Sequence, residues 1–392
     1  MSEQNKQVPR LRFPGFTDAW VKCTFEDLGI ITAGGDVNKK GLLLSGNYPV
    51  LANALNNDGI IGYYDDYKVS APAVTITGRG NIGHAKARKI SYTPTVRLIS
   101  LEPFNSDVDF LENLINTNNF FVESTGVPQL TGPQFGHFEV ILPKREEQTK
   151  IGKFFQHLDN LITVNERELN KLKNLKKSYL EKMFPKNGSN IPELRFPGYT
   201  DAWVKYELSE LAKFSKGRGY SKSDLVKAGY PIILYGRLYT NYETTISTVT
   251  DTFVSADLNS IKSEIGDVIV PGSGETAEDI SRASTIDISG IILGGDLNII
   301  KPDKQVLDSI FLAITISNGS QQRELTKRAQ GKSVVHLHNS DLERILVYLP
   351  SKNEQTKIGN FFTKLDKVIT VNERELKKLK ELKKSYLNDM FV

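Results

Sequence analysis

Hydrophobic residues recur at alternating spacings of four and three positions along residues 147–184, EQTKIGKFFQHLDNLITVNERELNKLKNLKKSYLEKMF. This spacing places them on one side of a helix, as in the seam of a coiled coil. Pro143 precedes the stretch and Pro185 follows it, so we predict one long helix over 144–185. A helix of this kind spans about 57 Å, and its exposed apolar seam requires a partner.

The same pattern returns at residues 354–391, where 29 of 38 aligned positions are identical. We therefore predict a second long helix over 351–392 that pairs with the first. A pseudo-twofold axis between the two halves of the chain makes the helices antiparallel. Asn165 and Asn372 interrupt the seam at the midpoint of each copy, and we expect them to face each other and fix the register. The predicted seam residues are Ile151, Phe155, Leu158, Ile162, Asn165, Leu169, Leu172, Ile358, Phe362, Leu365, Ile369, Asn372, Leu376 and Leu379. The alternative is two separate amphipathic helices, each packed on its own globule.

A second repeat opens each half of the chain. Residues 11–22, LRFPGFTDAWVK, return at 194–205 as LRFPGYTDAWVK. The segments between the shared ends, 23–143 and 206–350, scarcely match. Constant ends around divergent middles indicate one scaffold that presents two different recognition surfaces.

Short strand patterns and one helical pattern, separated by Gly, Asn and Pro, fill the middle of each half. The predicted fold is α+β, with two α/β globules joined by two long antiparallel coiled-coil helices in a pseudo-twofold internal repeat. The predicted domains are a globule at 1–143, a helix at 144–185, a linker at 186–191, a globule at 192–350 and a helix at 351–392.

Composition places the chain among ordinary globular proteins of the cytoplasm. Hydrophobic residues make up 39% and charged residues 24% of its 392 positions. The single cysteine excludes an internal disulfide framework, and we find neither an apolar run that would span a membrane nor a signal-peptide core. We therefore predict a cytoplasmic protein without a membrane partner.

The positive charge is concentrated in the predicted helices. Residues 144–185 and 351–392 each contain 10 basic and 6 acidic side chains, whereas each globule carries a small negative charge. A solvated helix face and a surface for nucleic acid or an acidic partner both explain this distribution.

Several short motifs suggest cofactor chemistry but lack the required context. Residues 78–83 match G-x-G-x-x-G, yet a short segment closed by Pro94 follows, where a dinucleotide site needs a helix. Residues 331–333 end like a phosphate-binding loop, but its first glycine is absent. His336 and His338 lack a third metal ligand. The Pro-Pro loop that amino-methylating enzymes use is also absent, so we predict neither a catalytic nor a metal site.

Glycine-rich turns with polar side chains remain as candidates for contact with DNA. Arg, Lys, Asn, Ser and aromatic side chains on such turns suit phosphate anchoring and the reading of base edges, although each is also typical of an ordinary surface turn. The candidates are Lys39, Lys40, Asn53, Arg79, Asn81, His84, Lys86, Arg88, Lys216, Arg218, Tyr220, Tyr235, Arg237, Tyr239, Ser273, Thr276, Lys332 and Ser333.

Both helix copies carry LP-x-x-x-EQTKIG-x-FF-x-x-LD-x-x-I followed by L-x-x-LK-x-LKKSYL, and both halves open with LRFPG-[FY]-TDAW. In these motifs the whole chain resembles the specificity subunits of type I restriction–modification systems. The resemblance implies a non-catalytic DNA-reading subunit whose two target-recognition domains each bind half of a bipartite, asymmetric duplex target. The helices would set the spacing of the two half-sites.

The resemblance also implies partners and cofactors. Two methyltransferase subunits would dock on the chain and methylate adenine N6, and restriction subunits with an ATP-driven motor would join them. S-adenosylmethionine, ATP and Mg²⁺ would bind to those subunits, and this chain would hold none of them. The competing hypotheses are a self-sufficient methyltransferase, a stand-alone DNA-binding regulator and a coiled-coil scaffold without sequence preference.

Overall fold

The computed structural model describes residues 8–120, 128–186, 188–257, 259–331 and 334–392. They form two compact units, one from the described residues of Met1–Arg167 with Glu373–Val392 and one from those of Glu168–Asn372. Each unit contains one globule and part of both long helices. The division therefore falls within the helices, whereas the domain ranges predicted from sequence end at the helix boundaries.

Within its described residues, the globule of the first unit contains nine short strands and three short helices. The strands are β1 (Val21–Thr24), β2 (Gly29–Ala33), β3 (Tyr48–Leu51), β4 (Ile60–Tyr64), β5 (Ala73–Thr77), β6 (Ala85–Arg88), β7 (Thr93–Pro94), β8 (Leu98–Pro103) and β9 (Glu139–Leu142). The helices are α1 (Phe25–Leu28), α2 (Val108–Thr117) and α3 (Gly132–Gly136), and the first long helix, α4, runs over Arg145–Lys182.

The main sheet of the first globule has the strand order β2-β8-β5-β6, and its neighbouring strands are antiparallel. β3, β4 and β7 form a smaller sheet, and β1 and β9 pair as an antiparallel ribbon that leads into α4. All residues of β5 are buried, as expected for an interior strand against which α2 packs. The Asp107 carboxylate accepts from the amides of Asp109 and Phe110 and so caps α2.

The second unit has the same overall plan with more elements. Its strands are β10 (Val204–Glu207), β11 (Ala212–Lys216), β12 (Leu225–Val226), β13 (Tyr230–Ile233), β14 (Thr245–Ile246), β15 (Phe253–Val254), β16 (Val268–Pro271), β17 (Ser273–Gly274), β18 (Ser284–Ile286), β19 (Ile292–Leu293), β20 (Leu297–Pro302), β21 (Val335–His336) and β22 (Leu346–Leu349). Its helices are α5 (Arg237–Thr240), α6 (Ala277–Ile280), α7 (Ser309–Ile316), α8 (Gly319–Arg328) and α9 (Asn339–Glu343), followed by the second long helix α10 (Lys352–Met390).

The main sheet of the second globule has the order β11-β20-β16-β18-β14, and a second sheet has the order β12-β15-β13-β19. β10 and β22 repeat the ribbon of the first globule and lead into α10. α8, which is rich in charged residues, follows α7 directly and packs against it. No helix within the described ranges is both long and apolar enough to cross a membrane.

The long helices run antiparallel within each unit. In the first unit the Phe154 and Tyr386 rings lie 5.0 Å apart, and Glu166 pairs with Lys380 at 2.7 Å, so residue numbers rise along one helix as they fall along the other. In the second unit the Tyr179 ring lies 5.0 Å from that of Phe361, and Lys176 pairs with Asp366 at 2.5 Å, so the residue numbers again run in opposite directions. The predicted antiparallel arrangement of the helices is confirmed.

The apolar seam packs against the globules as well as between helices. Ile151 and Phe155 belong to the core of the first globule, together with Trp20, Phe110 and Phe391. The buried seam residues are Ile151, Phe155, Leu158, Leu169, Ile358, Phe362 and Ile369. The half-buried ones are Ile162, Asn165, Leu172, Leu365, Asn372, Leu376 and Leu379.

The leader of each half is fixed to the helix that closes the same half. In the first unit Arg12 donates two hydrogen bonds, of 2.8 and 2.6 Å, to the buried Glu147 carboxylate. In the second unit Arg195 holds Glu354 in the same way, at 2.9 and 2.7 Å. These charge-assisted bidentate pairs hold their partners in a defined orientation. The leader motif and the helix motif are thus joined by the same ion pair in both halves, and we call this contact the joint.

The leader also meets the end of the other long helix. The amide of Leu11 donates to the carbonyl of Asp389 at 2.8 Å, and the amide of Leu194 donates to the carbonyl of Lys182 at 2.9 Å. These carbonyls belong to the last turns of the helices, where no intrahelical donor is available. Each unit is therefore assembled from segments that are distant in the sequence.

Candidate nucleic-acid interface

The G-x-G-x-x-G segment is the turn that joins β5 to β6. Gly80 and Gly83 adopt φ angles of +76° and +79°, a conformation that favours glycine. The strand β6 follows the turn, so no helix N-terminus is available for a pyrophosphate. Of the predicted side chains on the turn, Arg79 is half-buried and Asn81 is exposed. The turn therefore presents polar groups at the end of a hairpin.

Asn53 holds this turn in place from a neighbouring loop. Its side-chain oxygen accepts from the Gly78 amide at 2.8 Å, and its side-chain nitrogen donates to the Arg79 carbonyl at 2.9 Å. The side-chain amide of Asn53 is thus engaged within the globule, where it fixes the backbone of the turn.

Basic side chains of β6 line a shallow pocket of about 230 Å³ beside the hairpin. Arg88 donates to Thr75 at 3.0 Å and to the Asp58 carbonyl at 3.1 Å, and burial lowers the pKa of Arg88. Lys86 pairs with Asp58 at 3.3 Å. Burial lowers the pKa of His84, and the nearby positive charges lower it further. The pocket therefore combines a neutral imidazole with two cations.

Lys39 and Lys40 lie in an exposed turn of the same globule. The Asn38 side chain accepts from the Lys40 amide at 3.2 Å and fixes the backbone there. Both ammonium groups extend into solvent.

In the second globule, Lys216 ends β11, and Arg218 and Tyr220 follow it. Lys216 and Arg218 are exposed, whereas the Tyr220 hydroxyl donates to the Ala256 carbonyl at 2.8 Å. Tyr220 has a φ of +53°, which a non-glycine residue rarely adopts. The loop is thus fixed at Tyr220, while its cations remain accessible.

The Arg237 side chain is buried and forms ion pairs within the globule. It is 5% exposed and donates to Asp251 at 3.1 Å and to Glu243 at 2.8 Å. Tyr235 and Tyr239 flank it, half-buried, with ring centroids 6.3 Å apart. Burial raises the pKa of the Tyr239 hydroxyl. Of these three side chains, the two tyrosines retain exposed surface.

The remaining candidates are divided between structural and exposed positions. Ser273 is buried in β17 and bonds to Asp296 at 3.1 Å, whereas Thr276 is exposed and caps α6 by accepting from the Asp279 amide. Lys332 and Ser333 lie outside the described residues. In the part of the chain that the structure describes, no group of three His, Cys, Asp or Glu residues could hold a metal ion.

Sequence reasoning missed a basic groove beside α8. Its side chains come from separated segments, so no single run of the sequence indicates it. A position-by-position comparison of the two halves would have shown a signal, because Glu139 of the first ribbon is replaced by Leu346 in the second.

A family model describes both halves of the chain. Residues 17–174 and 200–381 each match the type I restriction modification DNA specificity domain. The two matched ranges cover both globules and most of both long helices. The resemblance inferred from the repeated motifs is therefore confirmed.

Named relatives carry the same description. The chain is 33% identical over 107 residues to a putative type I specificity subunit of Mycoplasma pneumoniae, an alignment that spans 26% of this chain and 29% of the relative. It is 21% identical over 374 residues to the type I restriction enzyme MjaVIII specificity subunit of Methanocaldococcus jannaschii, spanning 88% of this chain and 85% of the relative. The prediction of a specificity subunit rather than an enzyme agrees with both names.

Solved structures share the fold. The crystal structure of the S subunit of a type I restriction–modification system from M. genitalium aligns with a TM-score of 0.68 and 15% identity, covering 98% of this chain and 99% of that one. A chain from a study of type I R-M complex assembly and conformational transition aligns with a TM-score of 0.51, 15% identity and the same coverage. The predicted fold class is confirmed. The chain belongs to the family of type I restriction modification DNA specificity domains.

Proposed function

We propose that this chain is the DNA sequence-recognition subunit of a type I restriction–modification complex. Each globule reads one half of a bipartite, asymmetric duplex target. The observation that carries this proposal is the family match on both halves, combined with constant ends and divergent middles. Since loops on a rigid scaffold commonly carry recognition, different loops on the same scaffold give different half-sites.

The long helices set the distance between the half-sites. α4 contains 38 residues, which corresponds to about 57 Å of helix, more than one turn of DNA at about 34 Å. The bidentate joints Arg12–Glu147 and Arg195–Glu354 support this role, because they fix each leader to its helix. Phosphate contacts would position each globule, and the exposed side chains of Asn81 and Arg218, with the half-buried Arg79, would reach base edges.

The helices and globules also dock two methyltransferase subunits, which methylate adenine N6 in each half-site. Restriction subunits join the complex through them and use ATP. S-adenosylmethionine, ATP and Mg²⁺ bind to those partner subunits, and this chain binds none of them. The complex acts on cytoplasmic DNA. The absence of a Pro-Pro loop and of a phosphate-binding loop from the sequence supports this division of labour.

Methylation mapping tests the proposal. Cells that express this chain with its cognate methyltransferase subunit are sequenced by a long-read method that detects N6-methyladenine. We expect a split, asymmetric motif with one modified adenine in each half. The chain alone and the methyltransferase subunit alone are the controls, and neither should modify DNA. Assembly of the complex without any split motif would contradict the proposal.

Two variants separate the functions of the parts. Replacing residues 23–143 with the corresponding segment of a relative is expected to change one half of the motif and to leave the other half unchanged. Deleting four residues from one long helix is expected to change the spacer or the assembly and to preserve base identity. A change in both half-sites after the first replacement would contradict independent reading by the two globules.

A further inference from the structure

A groove of about 320 Å³ in the second unit is lined by thirteen described residues, six of which are basic. Residues of α8, of the β10–β22 ribbon, and Lys186 and Gly188 line it. The Gln321 side chain donates to the Leu346 carbonyl at 3.2 Å and so ties α8 to the ribbon. The basic residues of the groove are Lys186, Lys205, Arg323, Lys327, Arg328 and Arg344.

Most of this charge is uncompensated. Glu324 is the only carboxylate among the lining residues, and Arg328 binds it at 3.2 Å. Lys186 pairs with Glu193 at 2.8 Å. Within the described ranges, the other four cations of the groove form no ion pair; they are Lys205, Arg323, Lys327 and Arg344. Like charges that converge without counter-ions attract an anionic ligand.

At two corresponding positions of the first globule, the basic side chain lies beside a carboxylate. Lys22 occupies the position of Lys205 in the leader repeat, but it pairs with Glu139 of the neighbouring strand at 2.7 Å. In the second ribbon Leu346 stands where Glu139 stands in the first, so Lys205 has no carboxylate across the ribbon. The position of Arg344 is occupied in the first half by His137, which lies 3.8 Å from Glu26. Among the described residues, these two positions therefore carry cations without a carboxylate partner in the second half and not in the first.

This asymmetry bears on the choice of ligand. A partner protein that docks on the repeated scaffold would need equivalent surfaces in both halves, and the two halves differ at these positions. The cations are accompanied by Ser320, Gln321 and Tyr348, and this combination of side chains is typical of contacts to phosphate oxygens. Arginine is common in protein–protein interfaces as well, but lysine, which supplies half of the cations of the groove, is depleted there.

We propose that this groove, lined by Lys205, Arg323, Lys327 and Arg344, binds the phosphate backbone of duplex DNA and anchors the second globule independently of base sequence. The proposal rests on the proposed DNA-reading function and adds a second contact surface to it. It makes binding by the second globule more dependent on salt than binding by the first.

The salt dependence of binding tests the groove directly. The complex of this chain with its cognate methyltransferase subunit is titrated against a fluorescent duplex containing the methylated motif, and against one of unrelated sequence, over a series of KCl concentrations. The variants are Lys205→Gln and the triple variant Arg323→Gln, Lys327→Gln, Arg344→Gln. Lys22→Gln is the matched control, since it changes the same repeat position in the first half, where the lysine pairs with Glu139.

We expect the slope of log K against log salt to become shallower by about 0.9 for each lost phosphate contact, and hence by about 2.7 in the triple variant. Lys22→Gln should leave the slope unchanged, and the methylated motif should be the same in all variants. Slopes that match the wild type in Lys205→Gln and in the triple variant would overturn the proposal. Loss of the methyltransferase subunit from the purified triple variant would also overturn it, because the groove would then hold protein.

Failure of the proposed function can be distinguished from failure of this inference. If the wild-type complex methylates no split motif, the proposed function fails. The duplex of unrelated sequence then still shows whether the groove binds phosphate. A shallower slope on that duplex in the triple variant supports phosphate binding, and an unchanged slope overturns it.

Discussion

Removing the Arg12 side chain tests the joint between leader and helix most directly. In Arg12→Ala the Glu147 carboxylate, whose side chain is 2% exposed, loses donors at 2.8 and 2.6 Å. Leaving one member of a buried ion pair without its partner costs about 3–5 kcal/mol. Since the Arg12 side chain is 10% exposed and water can reach the vacated site, we expect a value near the lower limit, about 3 kcal/mol.

The two tryptophans allow each unit to be observed separately. Trp20 packs in the core of the first unit and Trp203 in that of the second. In a Trp203→Phe background, tryptophan fluorescence during urea unfolding reports on the first unit alone. With an m value of about 2 kcal/mol per molar urea, the Arg12→Ala midpoint should fall by about 1.5 M.

Two further variants serve as controls for this experiment. Lys144→Ala removes an exposed pair with Asp18, 2.7 Å apart, and should leave the midpoint unchanged. Replacing both Arg12 and Glu147 with leucine removes both charges and should recover much of the lost stability, because no orphan charge remains. The reasoning is refuted if Arg12→Ala unfolds at the same urea concentration as Lys144→Ala.

Two further predictions concern other parts of the scaffold. A β-carbon at Gly152 would lie 2.4 Å from a carboxylate oxygen and 2.9 Å from a backbone nitrogen, whereas one at Gly359 would meet nothing closer than 3.3 Å. Gly152→Ala should therefore destabilise its unit by about 1–3 kcal/mol. Gly359→Ala should leave the free energy of unfolding nearly unchanged, and urea titration measures both. Burial raises the pKa of Glu112 in the folded protein. The folded protein therefore binds more protons at this side chain than the unfolded chain does, and the free energy of unfolding falls as pH rises. Replacement by glutamine should raise Tm at pH 8 and leave it unchanged near pH 4, and an equal effect at both pH values would contradict this.

The repeats made the scaffold predictable from sequence. A helix predicted over 144–185 is observed at Arg145–Lys182, because a 38-residue apolar seam without proline has few alternative structures. The division into units was not predictable in the same way. Ile151 and Phe155 satisfy a coiled-coil pattern and also fill the core of a globule, and apolar spacing alone does not distinguish the two partners.

The candidate interface was harder to predict, because the partner of a polar side chain is chosen by tertiary contacts. Arg237 follows Gly236 in a sequence pattern that predicts a surface turn, yet it begins α5 and the fold pairs it with Asp251 and Glu243. Asn53 is engaged by a turn 25 to 26 residues later in the chain. The basic groove shows the converse, since its cations become neighbours through folding alone.

The composition of the first unit has a consequence for biosynthesis. Its core includes Met390 and Phe391, which the ribosome adds after the whole of Glu168–Asn372. Domains generally fold in the order in which they are translated, at about 5–20 residues per second. At this rate, Met390 and Phe391 are added about 11–45 s after Arg167, and the core of the opening globule is incomplete until then. During translation, the half made first is therefore completed last.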